Sequence, residues 1–273
     1  MPHLEVLSAG ALTTVQDRGR VGLAHLGVPV AGPLDRPAAE LANRLVGNGP
    51  DAALLEVTLG GFAARAGRGL WVAVTGAGHP HPHARWVAAG STFEVARPGA
   101  GVRSYVAVAG GIDVDPVLGS RSTDTLAWVG PPRVTDGAEL PLGAAAGEPR
   151  PMDAPRVPVA GPLRLLPGPH PAFFDGSALE TLCSSAYAVR PDSNRVGLRL
   201  AGPAPRRTGP EELPSEGMVV GAVQVPPDGQ PVVLLADRPP TGGYPVLAVV
   251  HPDDLWQCAQ LRPGEPVRFV RAS

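Results

Sequence analysis

Residues 219–250 read VVGAVQVPPDGQPVVLLADRPPTGGYPVLAVV, and their punctuation decides the fold class. The runs Val219–Val225, Val232–Leu235 and Val246–Val250 are each of strand length, and each is bounded by glycine, proline or aspartate. β-Branched side chains suit a pleated surface, whereas proline removes a ladder donor and glycine takes up turn conformations. Short strands joined by tight turns are therefore predicted.

The same grammar recurs upstream at Leu54–Thr58, Trp71–Thr75 and Tyr105–Val108. With 35 glycines and 34 prolines among 273 residues, long helices are interrupted throughout, while a hydrophobic content of 44% is enough for a packed core. A mainly β protein with a few short helices is predicted. The clearest helix is Arg36–Val46, with Asp35 as its N-cap, Pro37 in the first turn and Leu41, Ala42, Leu45 and Val46 as an apolar stripe. Gly47-Asn48-Gly49-Pro50 ends it. A second short helix is expected after Pro252, where Asp253 and Asp254 suit a positive helix end.

The length exceeds the usual single-domain size of roughly 100–150 residues, so two subdomains are expected. Residues 143–162, GAAAGEPRPMDAPRVPVAGP, are rich in proline and poor in aromatic and β-branched residues, which makes them the linker candidate. The expected division is residues 1–150 and residues 151–273.

A net charge of −2 without a cationic run leaves no electrostatic footprint for nucleic acid or an anionic membrane. All 23 basic residues are arginine. The absence of lysine excludes a Schiff-base lysine, a phosphate-loop lysine and a biotinylated lysine, and leaves anion recognition to the planar fork of arginine. The N-terminus has no basic segment followed by an apolar core, and no 18-residue apolar run follows. With two cysteines, Cys183 and Cys258, a reduced cytoplasmic protein is expected.

Catalytic motifs of the familiar kinds are missing. No Gly-x-Ser-x-Gly elbow, Gly-x-x-x-x-Gly-Lys loop or Gly-x-Gly-x-x-Gly turn occurs. His79-Pro80-His81-Pro82-His83 reads as an extended exposed loop, and no metal site is expected from it.

A series of segments in fixed order is more informative: TTVQDRGR at residues 13–20, GVPVAGPLD at 27–35, LANRLVGN at 41–48, Gly110-Gly111-Ile112, GSRST at 119–123, SNRVG at 193–197, Ser215-Glu216-Gly217, GAVQVP at 221–226, Asp237-Arg238, and TGGYP at 241–245. Together they resemble the biotin-dependent carboxyltransferase-like family. Its members include the C subunit of ATP-dependent 5-oxoprolinase, the Kip-type regulators, proteins labelled allophanate hydrolase subunit 2, and the carboxyltransferase subdomains A and B of urea carboxylase. The resemblance implies two β-rich subdomains of cyclophilin-like barrel type, with residues 1–150 as subdomain A and residues 151–273 as subdomain B. Two departures stand out. Asn194-Arg195 occupies the place of an Asp-Arg pair, and Pro239-Pro240 replaces polar residues.

The resemblance further implies the cytoplasmic C subunit of an ATP-dependent 5-oxoprolinase, which opens the lactam of 5-oxoproline to give L-glutamate. A- and B-type (KipI-like) subunits are its expected partners, and ATP is the expected cofactor, at a site that is unconventional or shared with one of them. The alternatives are a carboxyltransferase component working with carboxybiotin, and a non-catalytic KipA-type module that antagonises a kinase inhibitor. The polar groups at strand ends then become the candidates: Glu216 and Asp237 to handle a proton and Arg238 to stabilise charge. Gln16, Asp17, Arg121, Arg195, Gln224, Thr241 and Tyr244 are the expected contacts to substrate or phosphate, with the hydroxyls and N–H groups around Arg121 forming an anion cradle. Gly242-Gly243 is expected to allow close approach of a ligand to the backbone.

Overall fold

The computed structural model describes residues 2–145, 147–149, 159–208 and 213–272. Much of the expected linker, residues 146 and 150–158, lies outside the described residues, and so does the expected boundary between residues 150 and 151. The chain forms two compact units, one of residues 1–20, 31–124 and 128–158, the other of residues 21–30, 125–127 and 159–273.

Among the described residues, the first unit carries nine strands: β1 (His3–Ala9), β2 (Leu12–Gln16), β3 (Leu54–Thr58), β4 (Phe62–Ala66), β5 (Leu70–Gly76), β6 (Ala84–Val87), β7 (Thr92–Val95), β8 (Arg103–Val108) and β9 (Glu139–Pro141). They form a four-stranded sheet of order β7-β4-β1-β9 and a five-stranded sheet of order β2-β3-β8-β5-β6. Leu4, Val6, Phe62, Ala64 and Phe93 of the first sheet share a core with Leu55, Val57, Val72 and Val106 of the second. The helix α1 (Arg36–Leu45) starts where the Asp35 carboxylate accepts the Ala38 N–H at 3.0 Å, with Pro37 in its first turn. Its buried Ala39 and Ala42 pack with Leu54, Ala73, Tyr105 and Ala107 on the other face of the five-stranded sheet.

The second unit is built on a closed seven-stranded barrel. Its strands are β10 (Leu163–Pro167), β11 (Ala186–Val189), β12 (Gly197–Ala201), β14 (Ala222–Gln224), β15 (Val232–Leu234), β17 (Val246–Val250) and β18 (Pro266–Arg271). The order is β10-β17-β14-β15-β12-β11-β18, and a parallel pairing of β10 with β18 closes it. Strict alternation is visible in β18, where Val267 and Phe269 are buried and Arg268 and Val270 are not, as the period of two requires. Outside the barrel, β13 (Glu216–Gly217) and β16 (Thr241–Gly242) make a small antiparallel ribbon.

Among the described residues, two α-helices belong to this unit. The expected one after Pro252 is a 3₁₀ turn running into α3 (Leu255–Cys258). The other, α2 (Ala178–Ser184), has no counterpart in the sequence reading. At seven residues it is too short to display a helical period, and burial of Ala178 and Leu182 supplies what propensity does not. Among the described residues no helix is long and apolar enough to cross a membrane.

Candidate functional site

In the first unit, the end of β2 carries the polar run beginning at Gln16. The Asp17 carboxylate accepts hydrogen bonds from the Ser120 hydroxyl (2.5 Å), the Ser122 hydroxyl (2.7 Å), the Arg121 N–H (2.6 Å) and the Gly19 N–H (2.8 Å). The hydroxyls and the N–H of the Gly119–Thr123 loop thus surround a carboxylate, and that carboxylate is the chain's own Asp17. The Arg121 guanidinium is turned elsewhere, onto the Val114 carbonyl (2.6 Å) and the half-exposed Asp113 carboxylate (2.7 Å). Arg20 is 3% exposed and donates to the carbonyls of Val117, Ser120, Ser122 and Val129, which holds the same loop from within.

Gln16 is fully buried, and its amide is divided among the Thr14 hydroxyl (2.9 Å), the Thr123 carbonyl (2.9 Å) and the Gly32 N–H (3.1 Å). The segment after Gly32 is fastened in the same way. Leu34 N–H donates to Glu56 at 2.9 Å, Asp35 N–H to the Tyr105 hydroxyl at 2.7 Å, and that hydroxyl to Glu56 at 2.9 Å. Burial, then the nearby Glu56 and Asp35 carboxylates, push the Tyr105 hydroxyl well above the ordinary phenol range. In the first unit, Gln16 and Asp17 therefore shape the loops at Gly32 and at Gly119–Thr123, and both line a cavity with Arg18, Arg36 and Asn43.

In the second unit, Arg195 and Asp237 form a bidentate ion pair, 2.8 Å from Nε to Oδ2 and 2.9 Å from Nη2 to Oδ1, with side chains 2% and 0% exposed. Both are candidates for substrate chemistry in the sequence, and the fold pairs them with each other. Asn194 clarifies the departure noted above: its side-chain oxygen accepts the Val196 N–H at 2.8 Å, a task an aspartate performs equally well.

The β13–β16 ribbon gathers the remaining candidates. Glu216 stands opposite Gly242, and Gly217 opposite the exposed Thr241. The Gln224 amide donates to the Met218 sulfur (3.3 Å) and to the Tyr244 carbonyl (3.2 Å). A Cβ on Gly242 would meet Gln224 and Met218, and one on Gly243 would meet the Leu213 carbonyl at 2.8 Å, so the close approach these glycines allow is to the protein's own chain. Arg238 donates from Nε (3.1 Å) and Nη2 (2.9 Å) to the Met218 carbonyl. Its Nη1 is buried and has no acceptor among the described residues, and desolvation lowers the pKa of the guanidinium. Glu216 meets a residue that the sequence does not single out: His170 Nε2 lies 2.9 Å from Glu216 Oε1, the histidine nearly buried at 11% exposure and the carboxylate open at 42%. Nothing in Gly168-Pro169-His170-Pro171 announces this pairing, because the two residues lie far apart in the chain.

Elsewhere, His79, His81 and His83 line a surface cavity with Arg85 and Glu94 in the first unit. Burial, then Arg85, lower the pKa of His79. Among the described residues no group of three or more His, Cys, Asp or Glu side chains is placed to hold a metal ion.

Residues 26–271 match the family described as carboxyltransferase domain, subdomain A and B. The chain belongs to this family. It is 40% identical to the C subunit of 5-oxoprolinase from Escherichia coli, covering 99% of this chain and 91% of that protein. It is also 34% identical to the urea amidolyase of Saccharomyces cerevisiae, covering 99% of this chain but 17% of that one. Among solved structures, TTHA0988 is similar at a TM-score of 0.87 and 42% identity, and this chain spans about half of it, 55%. The urea carboxylase of Kluyveromyces lactis is similar at a TM-score of 0.90 and 30% identity over 27% of its length. Carboxyltransferase subdomains thus share the fold of this chain.

Proposed function

We propose that this chain is the C-type subunit of a cytoplasmic ATP-dependent 5-oxoprolinase, the complex that opens the lactam of 5-oxoproline to L-glutamate. The observation that carries the reading is the end-to-end correspondence with the C-type protein of E. coli, 99% of one chain against 91% of the other. The urea amidolyases, by contrast, hold the matching segment as 17% of a longer protein.

The ribbon supplies groups suited to this substrate. A buried guanidinium nitrogen without an acceptor is costly in the free protein, and a substrate carboxylate would complete it. Arg238 Nη1 is therefore the proposed contact to the carboxylate of 5-oxoproline. Glu216, two residues from the Met218 carbonyl that Arg238 grips, is the proposed proton acceptor as water attacks the ring carbonyl.

A lactam is a poor electrophile; a phosphoryl group from ATP on its oxygen would activate the ring carbon toward water, after which the C–N bond breaks, the ring nitrogen takes up a proton and phosphate is released to leave glutamate. The residues of this chain do not fit the nucleotide. It has no lysine, and the Ser120, Arg121 and Ser122 donors that would hold a phosphate are taken by Asp17. The nucleotide accordingly falls to a partner of A or B type, and no phosphoryl step is placed on this chain.

The test is reconstitution with A- and B-type subunits, measuring phosphate and glutamate release with each subunit omitted in turn. Activity only in the complete mixture supports the reading; full activity without this chain, or activity from it alone, overturns it. The family match and the likeness to urea carboxylase favour a second reading, carboxyl transfer from carboxybiotin held by another protein. Transfer of a carboxyl group from free carboxybiotin, without ATP turnover on 5-oxoproline, would favour that reading. A KipA-type regulator would be inactive in both assays and would relieve inhibition of a kinase.

A further inference from the structure

His170 is held more firmly than a surface ion pair requires. Its Nδ1 accepts the Val246 N–H at 3.1 Å, and its own backbone N–H points to the Val246 carbonyl at 3.4 Å. The ring stands edge-on to Phe173, 5.8 Å between centroids at 89°. Gly168 makes the approach feasible: a Cβ there would lie 2.5 Å from the Val246 carbonyl oxygen, so any side chain would push this segment off β17. Pro171 then opens a 3₁₀ turn immediately after the histidine.

These contacts settle what the ring offers to Glu216. A neutral imidazole has one donor and one acceptor nitrogen. With Nδ1 accepting from the backbone, the proton resides on Nε2, which donates to Glu216 Oε1 at 2.9 Å. One carboxylate oxygen is thereby tied to a nearly buried ring fastened to Val246, and the other remains at the more exposed end of the pair. That is the relation of an orienting histidine to a working carboxylate, with the usual roles of the two residues exchanged.

We propose that His170 is a positioning residue for Glu216, fixing the carboxylate so that its second oxygen faces the substrate at the β13–β16 ribbon. The inference rests on the reading of Glu216 as the proton acceptor, and the experiment separates the two. Two variants divide the ring's functions. The amide of His170→Asn lies near the position of Nδ1 and can still accept from Val246 while offering Glu216 nothing. The amide of His170→Gln reaches toward the position of Nε2 and can still donate to Glu216.

In the reconstituted complex, His170→Asn is expected to lose about tenfold or more in kcat, the worth of a hydrogen bond to a charged group, with KM for 5-oxoproline and melting temperature unchanged. His170→Gln is expected to stay close to wild type. Adding His170→Asn to Glu216→Gln should cost nothing further, because the carboxylate it positions is already gone. Independently of activity, ¹⁵N spectra of the full chain should show the His170 ring protonated at Nε2.

Protonation at Nδ1 in those spectra overturns the proposal. So does a parallel fall of both histidine variants in step with melting temperature, which would mark packing alone, or wild-type kcat in His170→Asn while Glu216→Gln is inactive. Full activity in Glu216→Gln instead overturns the reading of Glu216, and with it the task assigned to His170.

Discussion

Arg195 and Asp237 lie buried against each other with two parallel hydrogen bonds, and the Thr125 N–H (2.9 Å) and hydroxyl (2.7 Å) complete the carboxylate at Oδ2. A group so thoroughly satisfied is poorly placed to exchange a proton with a substrate, although its position after a strand marks Asp237 as a candidate base. Asp237→Ala takes the carboxylate from a buried guanidinium, which costs about 3–5 kcal/mol. Urea unfolding of the chain should show a large fall in midpoint. An unchanged midpoint combined with loss of activity in the complex would return Asp237 to a catalytic role.

Asp17 and Arg121 should separate in the same measurement. Asp17→Ala takes the acceptor from the Ser120 hydroxyl and the Arg121 N–H, each a group that costs about 1–3 kcal/mol when its hydrogen bond is lost in a buried place, while the Ser122 hydroxyl keeps the Asp17 carbonyl at 3.3 Å. Arg121→Ala removes a pair with Asp113 that is substantially exposed, with an expected effect of about 0–1 kcal/mol. If Arg121→Ala abolishes activity while stability is retained, its guanidinium leaves Asp113 to hold a substrate or phosphate.

Arg238 is expected to behave in the opposite way to Asp237. Replacing it with methionine removes a buried charge whose Nη1 lacks an acceptor, so thermal stability of the free chain should hold or rise. In the reconstituted complex the same variant should raise KM for 5-oxoproline by about 10–100-fold, the worth of a charge-assisted hydrogen bond. A lower melting temperature with unchanged KM would mean that the guanidinium serves only to hold the Met218 carbonyl.

Acid pH should weaken the second unit through Asp254. Hydrogen bonds from the Arg164 side chain, at 2.9 Å from Nε and 2.8 Å from Nη2, hold its carboxyl below the ordinary carboxylate range, and the Arg164 N–H adds another at 2.8 Å. A folded-state pKa below the unfolded value means that the unfolded chain binds the proton first. The contribution is present in full above the unfolded value of about 3.9 and is lost as pH falls through the folded value. Asp254→Asn should therefore flatten the acid arm of a stability–pH curve below about pH 5. An acid arm identical to that of the wild type would place the acid sensitivity elsewhere.

Much of the architecture is legible because it depends on local chemistry. The α1 helix begins where Asp35 and Pro37 place it, and β3 and β17 coincide with the runs Leu54–Thr58 and Val246–Val250. Strand-length apolar runs between turn formers have few alternatives. The α2 helix escapes such reading because seven residues carry too little periodicity to compete with the surrounding turns.

Partnership is the part that local chemistry does not reach. The sequence by itself determined the β-rich class, the capped helix, the reliance on arginine for every permanent positive charge, and the exclusion of lysine chemistry, since each follows from composition or from neighbours a few residues apart. Which polar groups remain available to a ligand was decided only by the tertiary structure. Asp17 meets Ser120 and Ser122 across more than a hundred residues, Arg195 meets Asp237 across 42, and His170 reaches Glu216 from another segment. A hydrogen bond satisfies its donor and acceptor only at about 3 Å and in the right direction, and such proximity between distant segments is a property of the folded barrel and sheets rather than of any stretch of sequence.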